Sequence, residues 1–266
     1  YSAFTSYLGF KINDGEYKVM GLAPYGEPNY VKTILDNLID IKEDGSFNLD
    51  MSYFSYCTNL RMTNDRFHKL FGGPARKTSA TLTQKDMNIA RSIQVVTEEV
   101  ILKLCTNLHK DSGQSNLCIA GGVGLNCVAN GRILRETPFE NVWIQPAAGD
   151  AGAALGVALS IFHAESNQPR QRNPVLTDDM KGAYLGPEYN NDEIRKTLEK
   201  YCAHYIEEKD EELFSSIAKA LSENKIIGWF QGRMEFGPRS LGNRSILGDP
   251  RSEKMQKTLN LKIKYR

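Results

Sequence analysis

No two cysteines in this chain stand at the CxxC spacing, and the five present (Cys57, Cys105, Cys118, Cys127, Cys202) are scattered and odd in number. That excludes a disulfide scaffold and a thiolate zinc site, and points to reducing, cytoplasmic surroundings. Cys105 and Cys118 sit in apolar runs and read as small buried side chains. Histidine is as sparse. His68, His109, His163 and His204 share no metal-ligand spacing, and they complete no Ser/His/Asp or Cys/His constellation. No apolar run approaches about 18 residues and no secretory leader is evident, so no membrane span is expected. An excess of charge of either sign is also missing. A net charge of +1 supplies no global field to recruit nucleic acid or an acidic membrane. Neither internal repeats nor low-complexity tracts occur.

What is present is a chain of 266 residues, enough for two domains, with 41% hydrophobic and 24% charged residues as in ordinary soluble proteins. It begins at Tyr1 and stops at Lys264-Tyr265-Arg266 without a terminating pattern, as expected of a fragment.

Its densest stretch runs from Gly232 to Arg251, directly after the apolar run Ile226–Phe230. Four arginines (Arg233, Arg239, Arg244, Arg251) and four glycines fall within it. Glycine lets backbone approach a ligand closely, and guanidinium forks match phosphate or carboxylate oxygens. Four guanidiniums so close together repel each other unless an anion sits among them, which makes an anion site the first reading. The alternative is a Gly/Pro-rich turn whose arginines are solvated or paired with Glu235 and Asp249.

Along the chain, Tyr7–Ile12 and Tyr17–Leu22 read as strands around the turn Asn13-Asp14-Gly15. A short helix is expected around Tyr30–Leu38 and a strand over Phe47–Phe54, with Cys57–Thr83 unassigned. From Lys85 to Lys110 the residues Ile89, Ile93, Val96, Val100, Leu104 and Leu108 recur every three or four positions, as in a long amphipathic helix. A buried strand over Ser115–Ala120 follows, then a helix over Cys127–Arg135, a strand over Asn141–Gln145 and a small-residue helix over Ala151–His163. This alternation is that of an α/β layer fold. Ser166–Thr177 is the best linker. Beyond it come a strand at Ala183–Leu185, helices at Asn191–Cys202 and Glu211–Asn224, and a strand at Lys225–Phe230.

Three further segments can carry chemistry. Leu117–Ala120 runs into Gly121-Gly122-Val123-Gly124 before Asn126, placing bare N–H groups at a helix start, which suits a phosphate or a sugar edge but is also common structurally. Asn126 and Asn130 would share a helix face, to bind a ligand or to cap locally. Asp150 opens a helix after a strand and can ligate a metal or serve as an N-cap. On a strand, Glu16 and Lys18 would share one face, as acid and base or as an exposed ion pair.

Taken together, Lys18–Gly26, Gly121–Asn126 with Asn130, Gly149–Gly156 and Glu235–Leu247 resemble the O-carbamoyltransferase family that includes nodulation protein U and antibiotic-tailoring carbamoyltransferases. Four motifs in order across essentially the whole chain carry that resemblance. It implies an α/β architecture: residues 1–165 as the C-terminal lobe of an actin-like ATPase (ribonuclease H-like) domain, 166–179 as a linker, and 180–266 as the front of a YrdC-like α+β domain. It also implies an enzyme that makes carbamoyl-adenylate from carbamoyl phosphate and ATP, then passes the carbamoyl group to a hydroxyl of a small molecule such as a sugar or natural product.

By the same resemblance, Gly121, Gly122, Asn126, Asn130 and Lys18 fall on nucleotide-binding positions, and Asp150 on a ligand of an iron-type divalent metal, with magnesium a further candidate beside ATP. Arg239, Arg244 and Ser245 would grip carbamoyl phosphate or the ATP phosphates, with Glu235 orienting an arginine, at a site separate from that around Gly121 and Asp150. The family's metal-binding histidines lie upstream of Tyr1 and its YrdC-like domain continues past Arg266, so this fragment is expected not to be competent alone. Expected partners are small molecules, not nucleic acid or membrane. The rival readings are carbamoyl transfer in tRNA or hydrogenase maturation, of which the near-neutral charge and the lack of a basic aromatic surface disfavour a tRNA substrate, and a nucleotide-binding module without catalysis.

Overall fold

A computed structural model describes residues 1–170 and 178–263. Most of the expected linker, residues 171–177, and the end Lys264-Tyr265-Arg266 lie outside the described residues. The chain divides into two compact units, Tyr1–Ile144 and Gln145–Arg266.

The first unit opens on helices, not on the expected strands. α1 spans Ser2–Tyr7 and α2 Glu16–Leu22, and a 3-10 turn covers Ala23–Tyr25. The aromatic and β-branched residues there resemble a strand pair. The large apolar side chains buried there, however, are Phe4, Tyr7 and Leu8, then Val19 and Leu22, at helical spacing. Asn13, with φ +59°, makes the turn between them. α3 (Val31–Asn37) leads into the hairpin of β1 (Ile39–Ile41) and β2 (Phe47–Leu49), and α4 (Asp65–Leu70) occupies the stretch that the sequence left unassigned. The expected strand over Phe47–Phe54 stops early, because Asp50 caps a 3-10 turn over Met51–Tyr53.

α5 (Gln84–Ser112) is the axis of this unit. Thr83 and Asp86 form a reciprocal capping box at its start, and Gly113, at φ +62°, closes it in the left-handed conformation. Its apolar face (Ile89, Ile93, Val96) packs on Phe4, Tyr7, Leu8, Phe67 and Phe71, with the Phe67 and Phe71 rings 4.8 Å apart. Each such buried side chain contributes roughly 1.5–3 kcal/mol. Gly26 touches this helix so closely that a Cβ there would lie 2.0 Å from the Met87 carbonyl oxygen.

Beyond α5 come β3 (Asn116–Ile119), a 3-10 turn over Gly122–Leu125, α6 (Cys127–Glu136) and β4 (Asn141–Ile144). β3 and β4 pair in parallel, with Leu117 opposite Val142. Only one face of this pair is covered. Leu117 packs with Cys105, Ile133 and Phe139, while Cys118 and Trp143 are exposed. The expected buried strand is therefore half-buried, and of the two cysteines read as buried only Cys105 is.

In the second unit α7 (Asp150–Ser160) continues as a π-helical turn, and none of its residues is buried despite its apolar composition. Residues Lys181–Ala183 form a 3-10 turn, not a strand. Gly182 (φ +67°) and Ala183 (φ +69°) are left-handed, which a strand cannot accommodate. α8 (Asn191–Lys200) carries a capping box from Asn190 and Glu193, α9 (Asp210–Ser222) follows, and β5 (Ile227–Phe230) pairs antiparallel with β6 (Arg244–Leu247). α10 (Met255–Thr258) runs on into a π-helical turn over Leu259–Ile263.

Candidate functional site

The Gly121–Asn126 turn stands at the C-terminal end of β3. Gly121 has φ +99°, a conformation that glycine adopts without strain. A Cβ on Gly121 or Gly122 would meet nothing within 4 Å, so the backbone here faces open space. The first N–H groups of a helical turn have no partner within it, and these are the groups such a surface offers to an acceptor.

The two asparagines support this turn from within. Asn126 Oδ1 accepts from Ala129 N–H at 3.2 Å, capping α6, and Asn130 Nδ2 donates to the Gly124 carbonyl at 2.7 Å. Asn126 is 7% exposed and exchanges amide hydrogen bonds with Gln94 of α5, at 2.9 and 3.1 Å. Gln94 Nε2 also donates to Glu98 Oε1 at 2.7 Å, and Glu98 Oε2 accepts from Arg132 of α6 at 2.7 Å. Arg132 forks onto Glu136 as well, and these hydrogen bonds from Glu136 and Glu98 push its pKa above the ordinary arginine value. Of the two readings open for Asn126 and Asn130, local capping describes where their side chains point. Gln94, Glu98 and Arg132 escaped the sequence reading. The available signal was a polar pair four residues apart within the apolar face of α5.

The loop between β5 and β6 is built around Glu235. Its side chain is fully buried, and Oε1 accepts backbone N–H bonds from Leu241 (2.8 Å), Asn243 (2.8 Å) and Arg244 (3.2 Å). Oε2 accepts from Arg244 Nε at 2.7 Å, while Arg244 also donates to the Glu235 carbonyl at 3.1 Å. Burial by itself would raise the Glu235 pKa. The bonds from the Leu241 amide, the Arg244 guanidinium and the Asn243 amide outweigh it and hold the carboxyl at about 2. Ser240 Oγ donates to the Arg244 carbonyl and lies 2.9 Å from Ser245 Oγ.

Two more of the arginines also meet acids: Arg233 lies 3.3 Å from Glu188, and Arg251 forks onto Asp249 at 2.8 Å. The repulsion expected among the guanidiniums is thus offset from within the protein, by Glu188, Glu235 and Asp249. Arg239 is half-buried in the same loop.

Asp150 is exposed at the first position of α7. Among the described residues no three His, Cys, Asp or Glu side chains gather to hold a metal, so the residues present do not by themselves make a metal site. Asp150 falls in the second unit and the Gly121 turn in the first. The turn before Asp150 abuts the arginine loop, and a Cβ on Gly237 would lie 2.4 Å from the Pro146 carbonyl oxygen. Lys18 lies on α2, its ammonium 5.9 Å from the Tyr17 ring centroid. Glu16 and Lys18 do not share a face, because residues two apart on a helix diverge. Glu16 accepts from Ser2 and from the Asn13 amide instead.

These features define a mixed α/β protein of two units, each carrying a glycine-rich turn braced by a buried glutamate and an arginine. A family model described as the carbamoyltransferase N-terminus matches residues 1–159, and one described as the carbamoyltransferase C-terminus matches residues 218–266. An uncharacterised protein of Synechocystis sp. is 57% identical over 269 residues, covering 100% of this chain and 43% of that protein. Nodulation protein NolO of Bradyrhizobium diazoefficiens is 34% identical over 264 residues, covering 98% of this chain and 44% of that one. Nodulation protein U of Rhizobium tropici is 33% identical over 166 residues, covering 62% and 26%. The chain belongs to the carbamoyltransferase family, and so to a family of transferases. It spans less than half the length of each of these relatives. Among the described residues no helix is long and apolar enough to cross a membrane.

Proposed function

We propose that the chain is part of a cytoplasmic enzyme that uses carbamoyl phosphate and ATP to carbamoylate a hydroxyl on a small molecule such as a sugar or natural product. In this reading residues 1–165 are the C-terminal lobe of an actin-like domain, 166–179 a linker, and 180–266 the front of a YrdC-like domain. Forming carbamoyl-adenylate joins a carbamate oxygen to the α-phosphorus of ATP and breaks the bond to pyrophosphate, after water has taken up the phosphate of carbamoyl phosphate. The acceptor hydroxyl then attacks the carbamoyl carbon, loses its proton to solvent and displaces AMP. Both steps build charge on oxygen, so fixed N–H donors and cations serve them better than a protein nucleophile.

The observation that carries the reading is the arginine loop, in a chain whose family transfers carbamoyl groups. Glu235 clamps that loop before any ligand arrives, so donors on it are preorganised. Arg239 and Ser245 would hold carbamoyl phosphate or the ATP phosphates, with Arg244 shaping the loop and adding positive charge. The open glycines of the Gly121 turn would take ATP. Lys18 would add charge beside it, while Asn126 and Asn130 support the turn from below. Asp150 would contribute one ligand to a divalent metal together with partners from outside this chain. The 266-residue piece alone would be inactive.

The test is pyrophosphate release by full-length protein given carbamoyl phosphate and ATP. Release that depends on both supports the reading. ATP binding without release would instead make the protein a nucleotide-binding module. Release followed by transfer only to tRNA or a maturation protein would replace the small-molecule acceptor.

A further inference from the structure

The shape of the Gly121–Asn126 turn is set from beneath by side chains that never reach its open face. Asn126 carries the end of the turn, and its long-range side-chain partner among the described residues is Gln94, thirty-two residues earlier on α5. An amide pair of this kind has two orientations, and one is selected here. Glu98 Oε1 is a carboxylate oxygen and can only accept, so the Gln94 Nε2 group must face it. Gln94 Oε1 is then turned to accept from Asn126 Nδ2 and from the Tyr1 hydroxyl, at 2.9 and 3.1 Å. Asn126 Oδ1 is thereby turned to accept from Gln94 Nε2 at 3.1 Å and from Ala129 N–H at 3.2 Å, which starts α6. Arg132 fixes Glu98 from the other side. Gln94 and Glu98 are 1% and 3% exposed, so water cannot substitute for a lost partner without opening the core.

We infer that Gln94 is a positioning residue for nucleotide binding, its amide held in one direction by Glu98 so that the Gly121–Asn126 backbone is fixed before ATP arrives. The inference rests on the reading of this turn as the ATP-binding turn. A buried amide with all its partners met, linking a long packed helix to an open glycine turn, transmits the rigidity of α5 to a segment that has little of its own.

The test uses full-length protein, with ATP as the probe in calorimetric titration and pyrophosphate release as the kinetic readout. Gln94→Met keeps the length of the side chain and removes the amide. Glu98→Gln keeps the shape and removes the group that selects the amide direction, and it serves if the first variant does not fold. For either, the ATP Kd and KM rise on the order of tenfold, the loss of one buried hydrogen bond, while kcat stays within about twofold. Val96→Ala, which only trims the apolar core of the same helix, lowers the melting temperature without moving the ATP Kd. Unchanged ATP Kd and KM in the Gln94 and Glu98 variants, or a fall in kcat alone, overturn the inference while the ATP reading stands. Absence of ATP binding by the unmodified protein overturns both.

Discussion

Glu235 Oε2 lies 2.7 Å from Arg244 Nε, and the same carboxylate gathers three backbone N–H groups from the loop that Arg244 closes. Glu98 stands to Arg132 at the same 2.7 Å beside the Gly121 turn. In both units a buried carboxylate organises a glycine-rich segment, which has too little side chain to organise itself. Removing the acid should therefore cost more than one ion pair. Glu235→Ala is expected to lower the unfolding free energy by about 3 kcal/mol, since it strands a partly buried guanidinium and several amides. Glu235→Gln, which keeps the shape and some of the bonds, should cost about 1–2 kcal/mol. Urea unfolding followed by Trp229 fluorescence, with Trp143→Phe as background, measures both.

The same carboxylate sets an acid limit. Its ordinary value is 4.5 and its folded value about 2, so the unfolded chain takes up the proton first. The stabilisation is complete above the ordinary value and is lost as pH falls from there through the folded value. Asp249, held at about 2 by hydrogen bonds from Arg251, adds to the loss in the same window. The fluorescence of Trp229, on the strand entering the loop, should show stability falling between about pH 4.5 and pH 2. In Glu235→Gln the slope in that window should be visibly shallower. An equal slope in both proteins would mean that Glu235 is not the group responsible.

Arg239 and Arg251 should separate cleanly in kinetics. Arg251 is occupied by Asp249 and its side chain is 76% exposed, so Arg251→Ala should leave carbamoyl phosphate use within about twofold of the parent. Arg239 lies on the family motif in the braced part of the loop, and Arg239→Ala should lower kcat/KM for carbamoyl phosphate on the order of a hundredfold. Pyrophosphate release by full-length variants reads both. Equal behaviour of the two would remove Arg239 from the site.

Sequence made the long elements legible for a physical reason. α5 repeats its apolar residues over many turns and buries them, while β5, α8 and α9 stand between clear turn signals that mark their limits without burial. It misled over residues 1–26. α1 and α2 are six and seven residues long, too short for a period of 3.6 to be told from alternation among aromatic and β-branched residues. In the site, Glu235 was visible because an acid among arginines is conspicuous. Gln94 and Glu98 were not, because their partners Asn126 and Arg132 lie more than thirty residues away and only folding brings them together. The placement of the Pro146 turn against Gly237 was hidden for the same reason.

Two glycines separate the structural use of this residue from the proposed functional one. Gly26 presses against α5, and the methyl of Gly26→Ala would lie 2.0 Å from the Met87 carbonyl oxygen, a backbone atom that cannot turn aside. That variant should lose about 2–4 kcal/mol of stability, through the overpacking it forces. Gly122 is the opposite case. A methyl there meets nothing within 4 Å and its backbone is not in the left-handed region, so Gly122→Ala should melt within a degree or two of the parent, as an unstrained surface change does. Yet the methyl would stand on the open face of the turn, where a phosphate or ribose would need the bare backbone. ATP affinity should therefore fall about tenfold in Gly122→Ala at unchanged stability, because the close N–H contacts are held off. Calorimetric titration with ATP beside a thermal melt decides it. Weak binding with an intact fold places the nucleotide on this face, whereas full affinity with the methyl present would move the nucleotide elsewhere and leave the glycines only the task of turning the chain.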